Sequence, residues 1–163
     1  MDFKSADELF KPQPQMTVEE AKKKLRSYAW SSDTYLSEIR NIKMWVPDED
    51  VSKYMDKIDE NTIHDHEVYT MFSTIYKTCI NKLEPYKEVE YKLDEDIIYD
   101  WSGRKKILME VLDLFNALKY NCKIRKVIAY NEESEDEASE WKLCISVTTT
   151  RKICLNIDGI ITL

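Results

Sequence analysis

Apolar residues recur every three or four positions through the first two thirds of the chain, which is the spacing of amphipathic helices. This periodicity predicts about five helices, beginning near positions 17, 33, 48, 61 and 102. Thr17 and Glu20 have the spacing of a capping box, and the polar run 31–33 is expected to separate the first two helices. Asn61 or Thr62 is expected to cap the fourth helix, whose apolar periodicity is the strongest in the chain.

Apolar and polar residues alternate in the rest of the chain, as they do in half-buried strands. A short strand is expected around Tyr91, and further strands after residue 120. Asp158 and Gly159 form the dipeptide that favours a two-residue hairpin turn. The stretch 131–140 holds six acids and no base, so it is expected to be a solvated loop between two strands.

The expected architecture is α+β, with about five N-terminal helices followed by a C-terminal antiparallel sheet of three or four strands. Residues 17–163 form a single domain in this prediction, with a helical part at 17–119 and a sheet part at 121–163. Residues 1–16 are expected to form an extended arm, because the sequence KPQPQ favours an extended chain. One face of the sheet is expected to pack on the long helices.

Composition and charge narrow the range of functions. The chain has 31 acidic and 24 basic residues, a net charge of -7, whereas domains that bind nucleic acid are usually basic. Gly103 and Gly159 are too few glycines for the loops that hold nucleotide phosphates. No apolar stretch reaches the length of a membrane span, and the N-terminal residues lack the apolar run of a secretory signal. We therefore expect a cytoplasmic protein without membrane contact.

The four cysteines include no Cys-x-x-Cys pair and lie at positions 79, 122, 144 and 154. Half-buried thiols in a reducing, intracellular compartment are the expected state of such residues. A disulfide between neighbouring strands, from Cys144 to Cys154, is the alternative.

Two motifs contain residues of the types that bind metals. His64 and His66 point about 200° apart on a helix, so they cannot share one ion, and a solvated helix start is expected there. Glu90 and Lys92, followed by Asp94, have the form of a Mg²⁺-dependent nuclease motif. That spacing is frequent by chance in a chain with 34% charged residues. The sequence therefore predicts no metal site, no cofactor and no catalytic residue, and the nuclease is kept as the second alternative.

A basic segment at 102–130 follows an acidic one at 84–100. The candidate nucleic-acid contacts in the basic segment are Arg104, Lys105, Lys106, Lys123, Arg125 and Lys126. The first three stand in the first turn of the fifth predicted helix, where positive charge opposes the helix dipole. This placement indicates either a functional contact or, more often, ion pairs with Asp94, Asp96 and Asp100 of the acidic segment. Nucleic-acid association through this segment is the first alternative function.

Aromatic residues are numerous, with 10 tyrosines and 4 tryptophans. Both types are enriched in protein interfaces, and both are also ordinary residues at the edge of a hydrophobic core. Phe3, Leu9 and Phe10 are apolar residues in a polar arm, and we predict that they anchor a partner protein or a second copy. The leading hypothesis is a non-enzymatic interaction protein: an adaptor, an inhibitor or an assembly subunit. The bias toward Lys, Ile, Tyr, Asp and Glu is typical of AT-rich genomes. Such genomes are common among phages and large DNA viruses. If the chain comes from one of these, the expected partner is a host protein.

Overall fold

The computed structural model describes residues 16–45, 58–94, 103–131 and 136–147. These residues form an α+β fold of three helices and three strands: α1 (Val18–Trp45), α2 (Glu60–Cys79), β1 (Glu88–Leu93), α3 (Lys105–Ala117), β2 (Asn121–Asn131) and β3 (Asp136–Ser146). The predicted class is confirmed, but the described part holds three helices where five were expected. Three predicted segments lie outside the described residues: the N-terminal arm up to residue 15, the third predicted helix apart from Ile58, and the strands expected after residue 147.

The first helix begins at the predicted capping box. The Glu20 amide donates to Thr17 Oγ1 at 3.2 Å, and the Thr17 amide donates to Glu20 Oε2 at 3.4 Å. The predicted break at 31–33 is wrong, because α1 runs through it without interruption. Ser32 is buried there, and its hydroxyl lies 2.9 Å from His66 Nδ1 on α2. Its polar group is thus satisfied by a neighbouring helix and does not compete with the backbone of α1.

The second helix starts two or three residues earlier than predicted. Its N-cap is Asp59, not Asn61 or Thr62, because Asp59 Oδ1 accepts a hydrogen bond from the Thr62 amide at 2.7 Å. A carboxylate in this position also matches the positive end of the helix dipole. The helix ends at Cys79, and a short 3₁₀ turn, Ile80–Lys82, leads toward β1.

The sheet is antiparallel, with β3 between β1 and β2. Trp141, Leu143 and Ile145 of β3 alternate into the core, as predicted, and the residues between them face the opposite side. The acidic stretch 131–140 was expected to be a loop, but β2 extends to Asn131 and β3 begins at Asp136. This correction lengthens the β2–β3 hairpin, because regular cross-strand pairing continues into the acidic residues.

The hydrophobic core lies between the helices and the inner face of the sheet. It centres on α3, where Leu108, Val111 and Leu114 are fully buried, as its broad apolar stripe predicted. Phe115 of α3 stacks on Phe72 of α2 with ring centroids 4.5 Å apart. The helix α1 packs mainly on α2, so one whole side of α1 faces away from the domain.

Candidate protein-binding surface

The side of α1 that faces away from the domain carries two large apolar side chains. Trp30 is 71% exposed and Met44 is 72% exposed, whereas Ala21, Leu25 and Ile42 are buried on the opposite side. Helix geometry places Trp30 and Met44 about 40° apart around the axis and about 21 Å apart along it. Both therefore lie on one strip of the surface, although tryptophan is highly buried on average.

Basic side chains share this strip with the apolar pair. We call the strip the outward face of α1 and define it by seven exposed residues: Lys23, Arg26, Trp30, Asp33, Ser37, Arg40 and Met44. These seven residues include three bases and one acid, and the exposed Glu19 lies one turn before Lys23 on the same strip, so the apolar residues stand in an environment with a small positive excess. Protein interfaces concentrate tryptophan and arginine at the positions that contribute most to binding.

Contacts on the inner side of α1 fix the direction of the outward face. The Tyr28 hydroxyl donates a hydrogen bond to Glu110 of α3, and the Ser32 hydroxyl pairs with His66 of α2. Tyr35 stacks on the His66 ring, with centroids 4.4 Å apart. Because these contacts engage the inner side alone, they hold the helix in place and leave the outward face uncovered.

The sequence signal for this surface was present but incomplete. Trp30 was expected at the end of a helix, and helical spacing already places it opposite Ala21 and Leu25, whereas only the continuous helix brings Met44 onto the same strip. The predicted anchors of the arm, Phe3, Leu9 and Phe10, lie outside the described residues.

Both histidines take part in contacts between helices, and the expected solvated helix start is wrong. His64 Nε2 lies 2.7 Å from Glu110 Oε2, so Glu110 connects His64 of α2 with Tyr28 of α1. Burial and the bond to Glu110 raise the pKa of Tyr28, while burial lowers the pKa of His66. Because the two histidines point about 200° apart on α2, His64 contacts α3 and His66 contacts α1.

The first three predicted nucleic-acid contacts lie together at the start of α3. Arg104 is the N-cap residue and makes no side-chain capping hydrogen bond, and Lys105 and Lys106 follow in the first turn. Gly103, directly before them, has a positive φ of 71°. Arg104 and Lys105 also interact with neighbouring residues. This helix end thus combines backbone amides that lack a side-chain cap with three cationic side chains.

The other three predicted contacts are divided between the two faces of the sheet. In the strand register, Lys123 and Arg125 lie on the outer face, and Arg125 Nη1 is 3.0 Å from Glu88 Oε1. Lys126 has the opposite parity and lies over the Trp141 ring, 5.7 Å from its centroid. The basic segment is therefore not a single patch.

The nuclease-like motif lies on the outer face of the sheet, where its residues have partners of opposite charge. Lys142 Nζ donates to Glu90 Oε2 at 2.9 Å, and Lys92 Nζ lies 3.6 Å from Glu140. Asp94 is exposed just beyond the end of β1. Opposite charges on neighbouring strands stabilise an exposed sheet face, which gives these residues a structural role.

Cys144 lies among these charged residues and is buried. Its Sγ and the carboxylates of Glu88 and Glu90 lie within 4.8 Å of one another. Burial, together with the two carboxylates, raises the pKa of the Cys144 thiol to about 11. The thiol is therefore protonated at neutral pH, and the two carboxylates are engaged by Arg125 and Lys142.

The cysteines of the described part are buried and unpaired, at positions 79, 122 and 144. Burial raises the pKa of Cys79 and of Cys122, so these thiols too are protonated at neutral pH. Cys154, the alternative disulfide partner of Cys144, lies outside the described residues.

Among the helices in the described ranges, none combines the length and the apolar character needed to cross a bilayer. Comparisons with protein-family models, with curated proteins and with solved structures found no match. The function is therefore inferred from the geometry and chemistry of this chain alone.

Proposed function

We propose that this chain is a non-enzymatic protein–protein interaction protein, an adaptor, inhibitor or assembly subunit, and that the outward face of α1 is its binding surface. The observation that carries the proposal is Trp30, which is 71% exposed on a helix held in place from its other side. Tryptophan and arginine are the side chains most enriched among the residues that dominate binding energy. Trp30 has Arg26 one turn before it on the same face.

The charge of the face supports a partner with an acidic surface. Arg26 and Arg40 lie on either side of Trp30 along the helix, and Asp33 is the one acid of the outward face. Opposite charge on the partner speeds association and fixes its orientation, while the buried apolar contact supplies most of the affinity. An acidic surface around an apolar cleft or ridge is the chemistry that fits.

Replacing Trp30 with alanine tests the proposal. Trp30→Ala should weaken the partner complex by about 2 kcal/mol or more, which is about 30-fold in affinity. The melting temperature of the variant should differ little from that of the wild type, because Trp30 lies outside the core. The measurement is capture from a nuclease-treated lysate of the native or host cell, quantified by mass spectrometry, with wild-type and variant proteins as baits.

Leu36→Ala is the matched control, because Leu36 is also exposed on α1 but lies about 120° away from Trp30 around the axis. A partner retained by the wild type and by the Leu36 variant, but lost from the Trp30 variant, supports the outward face. A partner captured equally by all three baits would show that binding occurs elsewhere on the chain.

We also propose that the chain is encoded by a phage or virus. It would then act on a protein of the host cell, in the reducing environment of the cytoplasm. The buried, unpaired thiols of Cys79, Cys122 and Cys144 support the reducing compartment. The composition typical of AT-rich genomes supports the viral source. Host lysate is therefore the first material to use in the capture experiment.

Nucleic-acid association is the second candidate, and the start of α3 is the observation that favours it. Its three cationic residues and its lack of a side-chain cap suit a phosphate group. Reversing the charge of Arg104, Lys105 and Lys106 to Glu should abolish binding of a labelled oligonucleotide, and the wild-type affinity should fall steeply with salt. Fluorescence anisotropy measures the effect of charge reversal and the effect of salt on the affinity. Binding that changes with neither would exclude this candidate.

A further inference from the structure

The exposed strip of α1 has the spacing of a helix that packs along another helix. Alternating steps of four and three residues connect the exposed residues Glu19, Lys23, Arg26, Trp30, Asp33, Ser37, Arg40 and Met44. This is the seven-residue repeat by which one helix presents a continuous seam to a second one. The strip covers about 38 Å of helix at a rise of 1.5 Å per residue. A helix is therefore a suitable occupant of the outward face.

The charges of this strip are arranged in opposite order on the two sides of Trp30. Toward the N-terminus, the base Arg26 lies four residues away and the acid Glu19 lies eleven residues away. Toward the C-terminus, the acid Asp33 lies three residues away and the base Arg40 lies ten residues away. Each side thus has one charge at about one turn and one at about three turns, with the signs reversed. A strip of this kind is complementary to a second copy of itself that runs in the opposite direction.

An antiparallel pair of α1 helices with its twofold axis beside Trp30 brings the opposite charges together. Arg26 then faces Asp33 of the other copy, and Glu19 faces Arg40 in the same register. The twofold axis repeats each of these ion pairs on the other side of the centre. The two Trp30 side chains meet at the centre, where each covers apolar surface of the other.

Other arrangements of two outward faces oppose like charges. In a parallel pair each residue meets its own counterpart, so Arg26 faces Arg26 and Asp33 faces Asp33. Sliding the antiparallel pair until Trp30 faces Asp33 places Lys23 against Arg40. Like charges in direct contact across an interface are unfavourable, so the charge pattern selects one direction and excludes this neighbouring register.

The residues that this arrangement needs are available on the surface. Glu19, Arg26, Asp33 and Arg40 are exposed, and none of them forms an ion pair with another residue of the described ranges. Trp30 is 71% exposed. On the outer face of the sheet, by contrast, the charges already pair within the chain.

We propose that two copies of this chain pair through the outward faces of α1, antiparallel and with the twofold axis at Trp30. This inference rests on the proposed function, since it names a second copy as an occupant of the same surface. A second copy therefore excludes the acidic partner while the dimer persists. The contact is isologous, so it closes at two copies. Contacts between single helices are at the small end of interface sizes, below about 1,200 Å², and we expect a dissociation constant of about 10–100 µM.

Sedimentation equilibrium of the full chain tests the pairing. At about 200 µM and low salt, the wild type should contain a dimer of twice the 19.4 kDa monomer mass and no larger species. Arg26→Glu and Asp33→Arg should each weaken the dimer roughly tenfold or more, because each variant opposes like charges at two places. The variant that combines both substitutions has the net charge of the wild type and opposite charges at both places. Its dissociation constant should lie within about threefold of that of the wild type.

Lys43→Glu is the matched control, because it makes the same change of charge as Arg26→Glu on an exposed residue about 140° from Trp30 around α1. It should leave the dimer unchanged. A wild type that is monomeric at about 200 µM, or that forms species larger than a dimer, would overturn the proposal. A combined variant that dimerises as weakly as the single variants would also overturn it, since Arg26 would then not face Asp33.

Capture by the Trp30→Ala bait separates this inference from the proposed function. A monomeric wild type that still captures a partner through Trp30 refutes the pairing and keeps the partner-binding surface. A wild type that dimerises as described, with a captured partner that Trp30→Ala does not affect, keeps the pairing and refutes the proposed partner surface.

Discussion

At the scale of single residues, Asp113 is a buried carboxylate with incomplete hydrogen bonding. It is 5% exposed, and its Oδ1 has no hydrogen-bond partner among the described residues. Burial raises the pKa of Asp113 above its ordinary value of 3.8, Lys24 acts in the opposite direction, and Glu110 adds to the rise. The folded protein therefore holds the Asp113 proton more tightly than the unfolded chain does. The stability that this residue contributes is complete below pH 3.8 and is lost as the pH rises through the raised pKa.

We predict that Asp113→Asn stabilises the protein at neutral pH. The gain in the free energy of unfolding should be roughly 1 kcal/mol at pH 7, because the variant removes a poorly compensated buried charge. The gain should vanish near about pH 3, where aspartic acid is protonated in both states. Urea unfolding of the two proteins at several pH values measures the difference. If the gain in the free energy of unfolding is the same at every pH, the effect comes from packing and not from the ionisation of Asp113.

Residues with a purely local role were predictable, and residues with a tertiary role were not. The reciprocal bonds of Thr17 and Glu20 depend on their spacing alone, and they form as predicted. The contacts of His64 and His66 depend on Glu110 and Ser32, which are distant in the sequence. The sequence gives the directions of the two histidines on their helix but not the helices that meet them there.

At the scale of elements, α1 shows how a tertiary contact can override a local stop signal. Serine and aspartate at 31–33 favour the end of a helix, because their side chains compete for backbone groups. The bond of Ser32 to His66 removes one of these competitors, and Thr34 Oγ1 donates to the Trp30 carbonyl within the helix. The outward face exists because the helix does not stop there: a break would have turned Met44 away from Trp30.

We predict that Ser32→Ala destabilises the protein by about 1 kcal/mol, the net value of a side-chain hydrogen bond that is lost in a partly buried site. The loss should appear in urea unfolding, and circular dichroism should show an unchanged helix content, because alanine favours helix more than serine does. Ser37→Ala is the control, since Ser37 is exposed on the same helix. A loss of helix signal in the Ser32 variant would mean that the bond to His66 is what keeps α1 continuous.

The strands illustrate which boundaries a sequence pattern can define. Alternation correctly assigned the inner face of β3 to Trp141, Leu143 and Ile145, because burial repeats every second residue. The ends of β2 and β3 differ from the prediction, since an acidic composition is more typical of a loop than of a strand. The acidic residues of β3 between Asp136 and Glu140 show no hydrophobic alternation, so the sequence does not mark the pairing from Val127↔Glu140 to Asn131↔Asp136.

At the scale of the whole molecule, the charges of the two exposed surfaces are arranged differently. On the outer face of the sheet, acids and bases are paired with each other, as in Arg125 with Glu88 and Lys142 with Glu90. The charges on this face compensate one another, so the face needs no binding partner. Between Lys23 and Met44, the outward face of α1 has three bases and one acid around Trp30. The surface whose charges are unbalanced is therefore the one expected to bind a partner.

Shortening the β2–β3 hairpin tests whether its outer part, residues 128–139, is needed for the fold. Replacing residues 128–139 with Asn-Gly would join Val127 to Glu140 through the two-residue turn that suits antiparallel strands. The shortened protein should melt within a few degrees of the wild type, because the core residues Leu143 and Ile145 and the pairing with β1 are retained. A large fall in the melting temperature would instead make the outer part of the hairpin a part of the folding unit.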